Sequence, residues 1–466
     1  MGTNGGMRLP GGWPRLARQW LTGLVLLVVS AAAAIAIALL VTPMQTVTVA
    51  GQVIQVGTSA PTLSLSGPGQ VDLFGQSLPT NLLFAGPVRP RLQLSQITIN
   101  SELTTFVQGD HPAEAERILG TRLADGWKRY FAWETVIAGA GALLLVGAVA
   151  GWRRVPHRTT IKLLVAGLAV TEAINLGAIM ITAYTAPGLL RQVHSLNELV
   201  GSQTHLPRIR PNGPPLPGVQ VVVMGDSTAA GAGLAPLPDS SSTARACGRS
   251  SDSYADDLSV ANGWRVLNLA CDGATISDGL LGPQDHDGQI LPPQFAEAER
   301  AVHLSAVIVS VGADDLNWAA EVRYCSVTLR CNDRATTAYF QQQLASFSKD
   351  YLDLLSRLAA LPTHPQVIIN QYYDPFGPEP GCLSRAGLSA ANLQTLTSRL
   401  DTLNAVLADG AAQFNFSSPQ PDFSGHQLCT PQPYVQGLNA AAPFHPTVLG
   451  QLAIALADQA ALRPPA

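Results

Sequence analysis

A serine in the run Gly225-Asp226-Ser227-Thr228-Ala229-Ala230-Gly231 follows directly on a short apolar run, VQVVVM at 219–224. A β-branched run that breaks at a glycine reads as a strand turning into a helix. A hydroxyl at that turn is exposed at the sheet edge, and the N–H groups opening the helix can stabilise an anion. Those are the needs of a nucleophile that attacks a carbonyl. A Ser or Asp after a strand is also a common helix cap, and the tripeptide alone fits either role. Three further segments border apolar runs in the same way. Asp272-Gly273-Ala274-Thr275 follows WRVLNLA (264–270), and Gly312-Ala313-Asp314-Asp315 follows SAVIVSV (305–311). Phe444-His445-Pro446-Thr447 precedes the last helical stretch, VLGQLAIALADQAAL. A Ser first, a His last and polar groups between them supply a nucleophile, a general base and oxyanion donors at one rim.

The elements that must position these residues are legible as alternation. The runs 219–224, 264–270, 305–311, QVIINQYY (366–373) and AAQFNF (411–416) read as buried strands. Helical patterns span Thr337 to Leu361 and Leu388 to Asp409. Apolar strands separated by helices indicate a mainly parallel sheet covered on both faces, whose sites form beyond the carboxyl ends of the strands. His364 and His303 precede strands and so belong at the opposite edge, while His426 lies in a Cys-flanked loop and is the runner-up to His445. The segment DHDG (285–288) lacks the spacing of a cation loop and reads as solvated.

With these motifs in order, the segment from about Gln220 to Gln459 resembles the SGNH (GDSL-type) hydrolase family. It is most similar to the secreted actinobacterial esterases and lipases with three sequential disulfides. The resemblance implies a three-layer α/β/α sandwich of flavodoxin-like type. GDSTAAG matches the first family block and implies Ser227 as nucleophile. CDGAT matches the second and implies the Gly273 N–H as an oxyanion donor beside that of Ser227. VGADDLNW matches the third, and FHPT matches the last and implies His445 as base. The cysteine order implies the pairs Cys247–Cys271, Cys325–Cys331 and Cys382–Cys429.

The chain departs from the family at two positions. The third oxyanion donor is usually Asn and is here Asp314. An ionised carboxylate accepts hydrogen bonds and repels an oxyanion; only its protonated form donates. Either burial raises its pKa, or a neighbour such as Asn317 takes the role, or catalysis is weakened. Asp226 and Asp315 are further supporting candidates. Three residues before His445, where the family often has an Asp that orients the base, stands Ala442. A backbone carbonyl can hold the imidazole tautomer in its place, because the acid orients and stabilises without exchanging the proton.

The chain has 466 residues, room for about three domains of ~150 residues. The first 190 residues hold three apolar blocks: Trp20 to Val41, about Thr135 to Gly151, and Leu163 to Ala186. Each is long enough to cross a bilayer, and the first exceeds the roughly 7–15 apolar residues of a cleaved signal. Arg8, Arg15 and Arg18 precede the first block, and Arg153, Arg154, Arg158 and Lys162 fill the link between the second and third. Positive residues stay inside, and Lys128 and Arg129 on the other flank weaken this without reversing it. The expected order is a cytoplasmic 1–19, a membrane helix 20–42 and an external β-rich module 43–133. A second membrane helix 134–151, a cytoplasmic loop 152–162 and a third helix 163–187 follow. A linker 188–218, with a short juxtamembrane helix at HSLNELVGSQ, leads into an external hydrolase domain 219–466. Glu172 and Asn175 fall inside the third block, with Glu172 expected to face neighbouring helices.

All six cysteines lie in the domain expected outside, which reads as disulfides in an oxidising compartment. No CxxC or close Cys/His pair points to a metal, and no phosphate-cradling glycine motif points to a cofactor. A net charge of −4 without a basic stripe gives nucleic-acid binding no support. The expected function is hydrolysis of acyl esters of lipids or envelope glycans outside the cytoplasmic membrane. Acyl transfer to an envelope acceptor through the same acyl-enzyme, or a degenerate binding module, are the alternatives.

Overall fold

The computed structural model describes residues 13–49, 52–62, 64–96, 112–190, 209, 211, 213–238, 241–286, 288–377 and 381–462. The expected cytoplasmic residues 1–12, the strand end at 97–99 and the juxtamembrane helix at 194–203 lie outside them. Helix α1 (Trp13–Val41) leads into strands β1 (Gln45–Val49), β2 (Gln52–Thr58), β3 (Ser66–Leu73), β4 (Gln76–Ala85) and β5 (Pro90–Gln96). Two long helices follow, α2 (Pro112–Trp152) and α3 (His157–Leu190).

These three helices contain segments long and apolar enough to cross a membrane: Gly23–Val41, Thr121–Trp152 and His157–Thr182. Small residues let them approach closely. Ala31, Ala34 and Ala38 of α1 and Ala138 and Ala142 of α2 are buried, and Gly141 faces Ala34. Leu40, Val136, Leu144 and Val165 point outward and exposed. The expected loop 152–162 shrinks to a turn at 153–156. Pro156 opens α3 by accepting the Thr159 and Thr160 N–H groups, and its lack of an N–H costs nothing at a helix start. Glu172 lies against Gly139 of α2, and Asn175 Nδ2 donates to Glu134 Oε2 at 2.7 Å, so both polar side chains of α3 face α2.

The five early strands form one sheet in the order β1-β2-β5-β3-β4, antiparallel except for the β3–β5 pair. It sits on one end of the helix bundle. Tyr130 Oη donates to the Leu39 carbonyl at 3.2 Å and pairs with Thr58 Oγ1. Trp127 Nε1 donates to the Gly57 carbonyl and Thr182 Oγ1 to that of Val88, both at 3.0 Å. The Arg-rich turn at 153–156 closes the other end of α2.

The rest of the chain is α/β. Its elements are β6 (Val221–Gly225), α4 (Ser227–Ala230), α5 (Ser242–Ala246), α6 (Tyr254–Asn262), β7 (Val266–Asn268), β8 (Gln284–His286) and β9 (Gln289–Leu291). Then come α7 (Gln294–Ala298), β10 (Ala306–Ser310), α8 (Trp318–Val327), α9 (Arg334–Ala359), β11 (Gln366–Ile369), α10 (Ala390–Gln413) and α11 (Val448–Ala461). Strands β11-β10-β6-β7 form a sheet in that order, parallel throughout. Because side chains alternate along a strand, Val222, Met224, Val307 and Val309 enter one buried cluster, and Val221, Val223, Ala306 and Ile308 enter another. Helices α7 and α9 cover the first face, and α6, α8 and α11 the second.

Local caps explain most boundary differences from the sequence expectation. Asp333 accepts the Ala335 and Thr336 N–H groups and starts α9 at Arg334 rather than Thr337. Ser389 caps α10 in the same way. The expected strand 411–416 is corrected: residues 411–413 are the last of α10, and Asn415 is left-handed (φ +57°). The alternation Phe414, Phe416 instead brings two rings to 5.8 Å, and the chain meets β11 only at Ser417, through a single bridge to Ile368. The DHDG segment lies in the β8–β9 hairpin, where Asp285 Oδ1 accepts the Gly288 N–H at 2.9 Å.

The early sheet and the α/β domain share a core. Leu73, Phe74 and Leu94 belong to the same buried cluster as Phe347, Tyr351 and Leu355, and the Phe74 and Tyr351 rings meet edge-on at 5.3 Å. Truncating a buried aromatic costs about 3–5 kcal/mol. Phe74→Ala is therefore expected to lower the urea midpoint at which the ester-hydrolysing domain unfolds, in detergent-solubilised full chain. An unchanged midpoint would mean that the two sheets are energetically independent.

Candidate active site

The turn after β6 is built on a close backbone contact. Gly225 has φ +149°, and a Cβ there would collide with the Ser310 carbonyl oxygen of β10. Glycine alone fits. The Gln294 side chain pairs with both polar groups of Gly225: Oε1 accepts its N–H at 2.8 Å, and Nε2 donates to its carbonyl at 2.9 Å. Asp226 caps the one-turn helix α4 by accepting the Thr228 N–H at 2.9 Å. Asp226 and Ser227 are therefore not competing caps; Asp226 caps, and Ser227 is left to open the helix.

The first and last of the sequence-identified segments meet. His445 Nε2 lies 2.8 Å from Ser227 Oγ, and His445 Nδ1 lies 3.1 Å from the Pro443 carbonyl oxygen. A main-chain carbonyl accepts only from a protonated Nδ1, so Nε2 is the nitrogen left to accept the serine proton. Gln436 joins the two loops, donating from Nε2 to the carbonyls of Ala232 and Pro446. Gln451 of α11 donates to the Thr228 carbonyl and accepts the Tyr254 N–H, each at 2.9 Å. His426 is elsewhere, stacked on Tyr434 with Nδ1 on the Gln432 carbonyl. His303 and His364 lie just ahead of β10 and β11, at the other end of the sheet.

Gly273 is left-handed (φ +72°) in a loop tied down on both sides. The Cys271 N–H bonds the Gly225 carbonyl at 3.0 Å, Cys271 is joined to Cys247, and Gln284 Nε2 donates to the Asp272 carbonyl. Asp315 Oδ1 accepts the Ile276 N–H at 3.0 Å, so Asp315 braces this loop. Ser227 begins α4, where no preceding turn accepts its N–H. The N–H of Gly273 has no acceptor among the described residues. Asp314 is largely buried, and its Oδ2 has no hydrogen-bond partner. Asn317 is exposed, starts α8 in a left-handed conformation and directs its amide to Tyr339 Oη. The other cysteines pair as Cys325–Cys331 and Cys382–Cys429.

Two functional neighbours carry no motif. Tyr372 Oη donates to Asp226 Oδ2 and accepts the Ala313 N–H, and Tyr373 Oη donates to the Phe444 carbonyl at 2.8 Å. The sequence places both inside the expected strand 366–373; β11 stops at Ile369 and leaves them just past its carboxyl end.

Asp226, Asp314, Asp315 and Asp458 have no ion-pair partner among the described residues. Burial first, then the Asp226 and Asp272 charges, pushes Asp314 up to about 7, with His445 pulling the other way. Burial likewise raises Asp226 against its bonds from Tyr372 and Thr228. Asp315 and Asp458 are pushed up to about 8, chiefly by burial. Each folded pKa lies above that of the unfolded chain. The folded state thus keeps protons that the unfolded state releases from about pH 4 upward. This contribution to stability is complete below about pH 4 and is lost as pH rises through about 8. The melting temperature is expected to fall between pH 5 and pH 9, and Asp458→Asn to make that fall shallower. Parallel pH–melting curves for the two proteins would overturn the assignment.

Residues 223–453 match the model of the GDSL-like Lipase/Acylhydrolase family. Lipase 1 of Streptomyces coelicolor is 26% identical over 237 residues, covering 49% of this chain and 81% of that protein. An extracellular lipase from Streptomyces rimosus superposes with a TM-score of 0.41 at 21% identity, covering 52% of this chain and 100% of the other. Phospholipase A1 from Streptomyces albidoflavus does so with a TM-score of 0.42 at 20% identity, covering 53% and 100%. Residues 223–453 thus form a GDSL-like lipase/acylhydrolase domain, and the chain is a carboxylic ester hydrolase.

Proposed function

We propose that this chain is a membrane-anchored serine esterase. Its SGNH-type three-layer domain lies outside the cytoplasmic membrane and cleaves acyl esters of lipids or envelope glycans. The 2.8 Å contact between Ser227 Oγ and His445 Nε2, with Nδ1 held by the Pro443 carbonyl, carries this reading. Ser227 attacks the ester carbonyl while His445 takes its proton. The tetrahedral oxyanion receives the N–H groups of Ser227 and Gly273. Collapse expels the alcohol, which leaves with the proton from Nε2. Water, activated by His445, then releases the acid and restores the serine.

The compartment is supported by three disulfides in the hydrolase domain and by the cluster Arg153, Arg154, Arg158 and Lys162 at one end of the bundle. Cytoplasmic retention of that cluster leaves the opposite end, with the β-rich module, facing out.

The deciding experiment is hydrolysis of p-nitrophenyl esters from short to long acyl chains by detergent-solubilised full chain. Parent protein is expected to turn them over and to label at Ser227 with a fluorophosphonate. Ser227→Ala should lose both by at least about 10³-fold. A folded, disulfide-intact parent that neither hydrolyses nor labels would sink the proposal.

Asp314 completes the oxyanion hole in its neutral form. Its acid proton is present below about pH 7 and is lost above it, leaving a carboxylate that repels the oxyanion. Hydrolysis should therefore decline on the alkaline side. Removing one oxyanion donor costs ~10²–10³ in kcat. Asp314→Asn, a donor at every pH, should match the parent near pH 6 and exceed it at least ~10-fold at pH 9. Equal alkaline rates in the two proteins would refute the role.

A further inference from the structure

Tyr372 and Tyr373 are consecutive, nearly buried, and enter opposite cores: Tyr372 joins the cluster on one face of the sheet, Tyr373 that on the other. A buried phenol needs a partner for its hydroxyl, so where each hydroxyl goes is a constraint on the fold. The Tyr372 hydroxyl spans two site segments, as donor to Asp226, which precedes Ser227, and as acceptor of the Ala313 N–H, which precedes Asp314. Asn404 of α10 fixes its backbone through two 2.8 Å bonds, to its N–H and its carbonyl. Tyr373 stacks on Phe423 at 4.3 Å and donates to the Phe444 carbonyl.

We propose that this tyrosine pair positions the reacting groups from both faces of the sheet, and that Tyr373 acts on His445 by holding Phe444 in a left-handed conformation. The proposal rests on Ser227 and His445 being the reacting pair. Phe444 has φ +68°, a region that a bulky L-residue occupies only when its surroundings enforce it. Its two flanking peptides have different tasks. The one before it carries the Pro443 carbonyl that holds Nδ1; the one after it carries the N–H of His445. Rotation at Phe444 changes the angle between them and swings the Pro443 carbonyl away from the imidazole. The Tyr373 hydroxyl holds the second peptide by its carbonyl at 2.8 Å, with a longer 3.3 Å bond from the His445 N–H to the Ala442 carbonyl on its other side, and the 3.1 Å bond from the Phe444 N–H to the Gln436 carbonyl holds the first. Without the Tyr373 hydroxyl the second peptide keeps only its longer tie, Phe444 relaxes toward negative φ, and the base loses its aim at Ser227.

Tyr373→Phe keeps the ring and its stacking and deletes only the hydroxyl. The expected result, in the full chain, is a kcat lower by ~10–100-fold with KM unchanged and the fluorophosphonate labelling of Ser227 slowed in parallel. A residue that only filled the core would lower the folded fraction and leave the kcat of the folded protein intact. Asn tolerates the left-handed region without an external tie. Adding Phe444→Asn to Tyr373→Phe should therefore recover most of the lost kcat. The proposal fails if Tyr373→Phe turns over at the parent rate, or if the second substitution recovers nothing. Those failures are distinct from failure of the esterase reading, which would appear already in the parent as absent hydrolysis and absent labelling.

Discussion

One hydrogen bond, 2.8 Å from Ser227 Oγ to His445 Nε2, has to be held across a sequence separation of 218 residues. Neither residue sits on a long element: Ser227 opens a four-residue helix, and His445 lies in a loop just before α11. Their separation is set by what lies beneath. Gly225 abuts the Ser310 carbonyl, so the Ser227 turn takes its position from two adjacent parallel strands. The base loop takes its position from α11, whose Gln451 bonds the Thr228 carbonyl, and from Gln436, whose amide reaches Ala232. Side-chain amides thus extend at this rim the short backbone pairing of residues 434–436 with 444–447, joining it to the serine turn that it does not itself reach. Each such bond contributes only about 1 kcal/mol net, but a buried amide left unpaired costs more than it gains when paired. The network is therefore cooperative: a loop that moves strands several buried polar groups at once.

The same burial sets the charge state. Asp226, Asp314, Asp315 and Asp458 are all raised, and for each the largest cause is loss of solvent. An arginine beside any of them would have reversed the sign. The buried ion pair of the domain, Arg399 with Glu321, lies elsewhere, where Arg399 also donates to the Cys331 carbonyl at the small disulfide loop. Burial keeps Asp314 neutral up to about pH 7 and Asp315 up to about pH 8. Two properties that look unrelated, stability that falls with pH and an acid standing where an amide donor is usual, then have one physical origin.

Legibility in the sequence followed locality. Strands β6, β10 and β11 were readable because an apolar run buried on both faces needs no knowledge of its neighbours. The segments at 225–231, 272–275, 312–315 and 444–447 were readable because each directly borders an element. The run at 411–416 misled because Phe414 and Phe416 alternate as a strand would, while helix α10 continues to Gln413 and Asn415 turns the chain. The Pro443 carbonyl could be foreseen only as some main-chain group, since a carbonyl has no letter. Tyr372 and Tyr373 were invisible for another reason: their partners are 146 and 71 residues distant, and a tyrosine after a strand is ordinarily just core.

The β-rich module shows how the apolar helix bundle and the hydrolase domain are joined. Tyr130, Trp127 and Thr182 of the helix bundle tie it down through Thr58 Oγ1 and the backbone carbonyls of Gly57 and Val88. Phe74 ties it to α9, whose Phe347 and Tyr351 rings stack at 5.3 Å beneath the parallel sheet. The junction is not apolar throughout. A cavity of about 480 Å³ opens beside Phe74 between the module and α10, lined by Asp72, Ser77, Arg91 and Asp409. The coupling of the two sheets therefore rests on the shared apolar core around Phe74, Phe347 and Tyr351, since the polar groups beside it can be solvated as well apart as together.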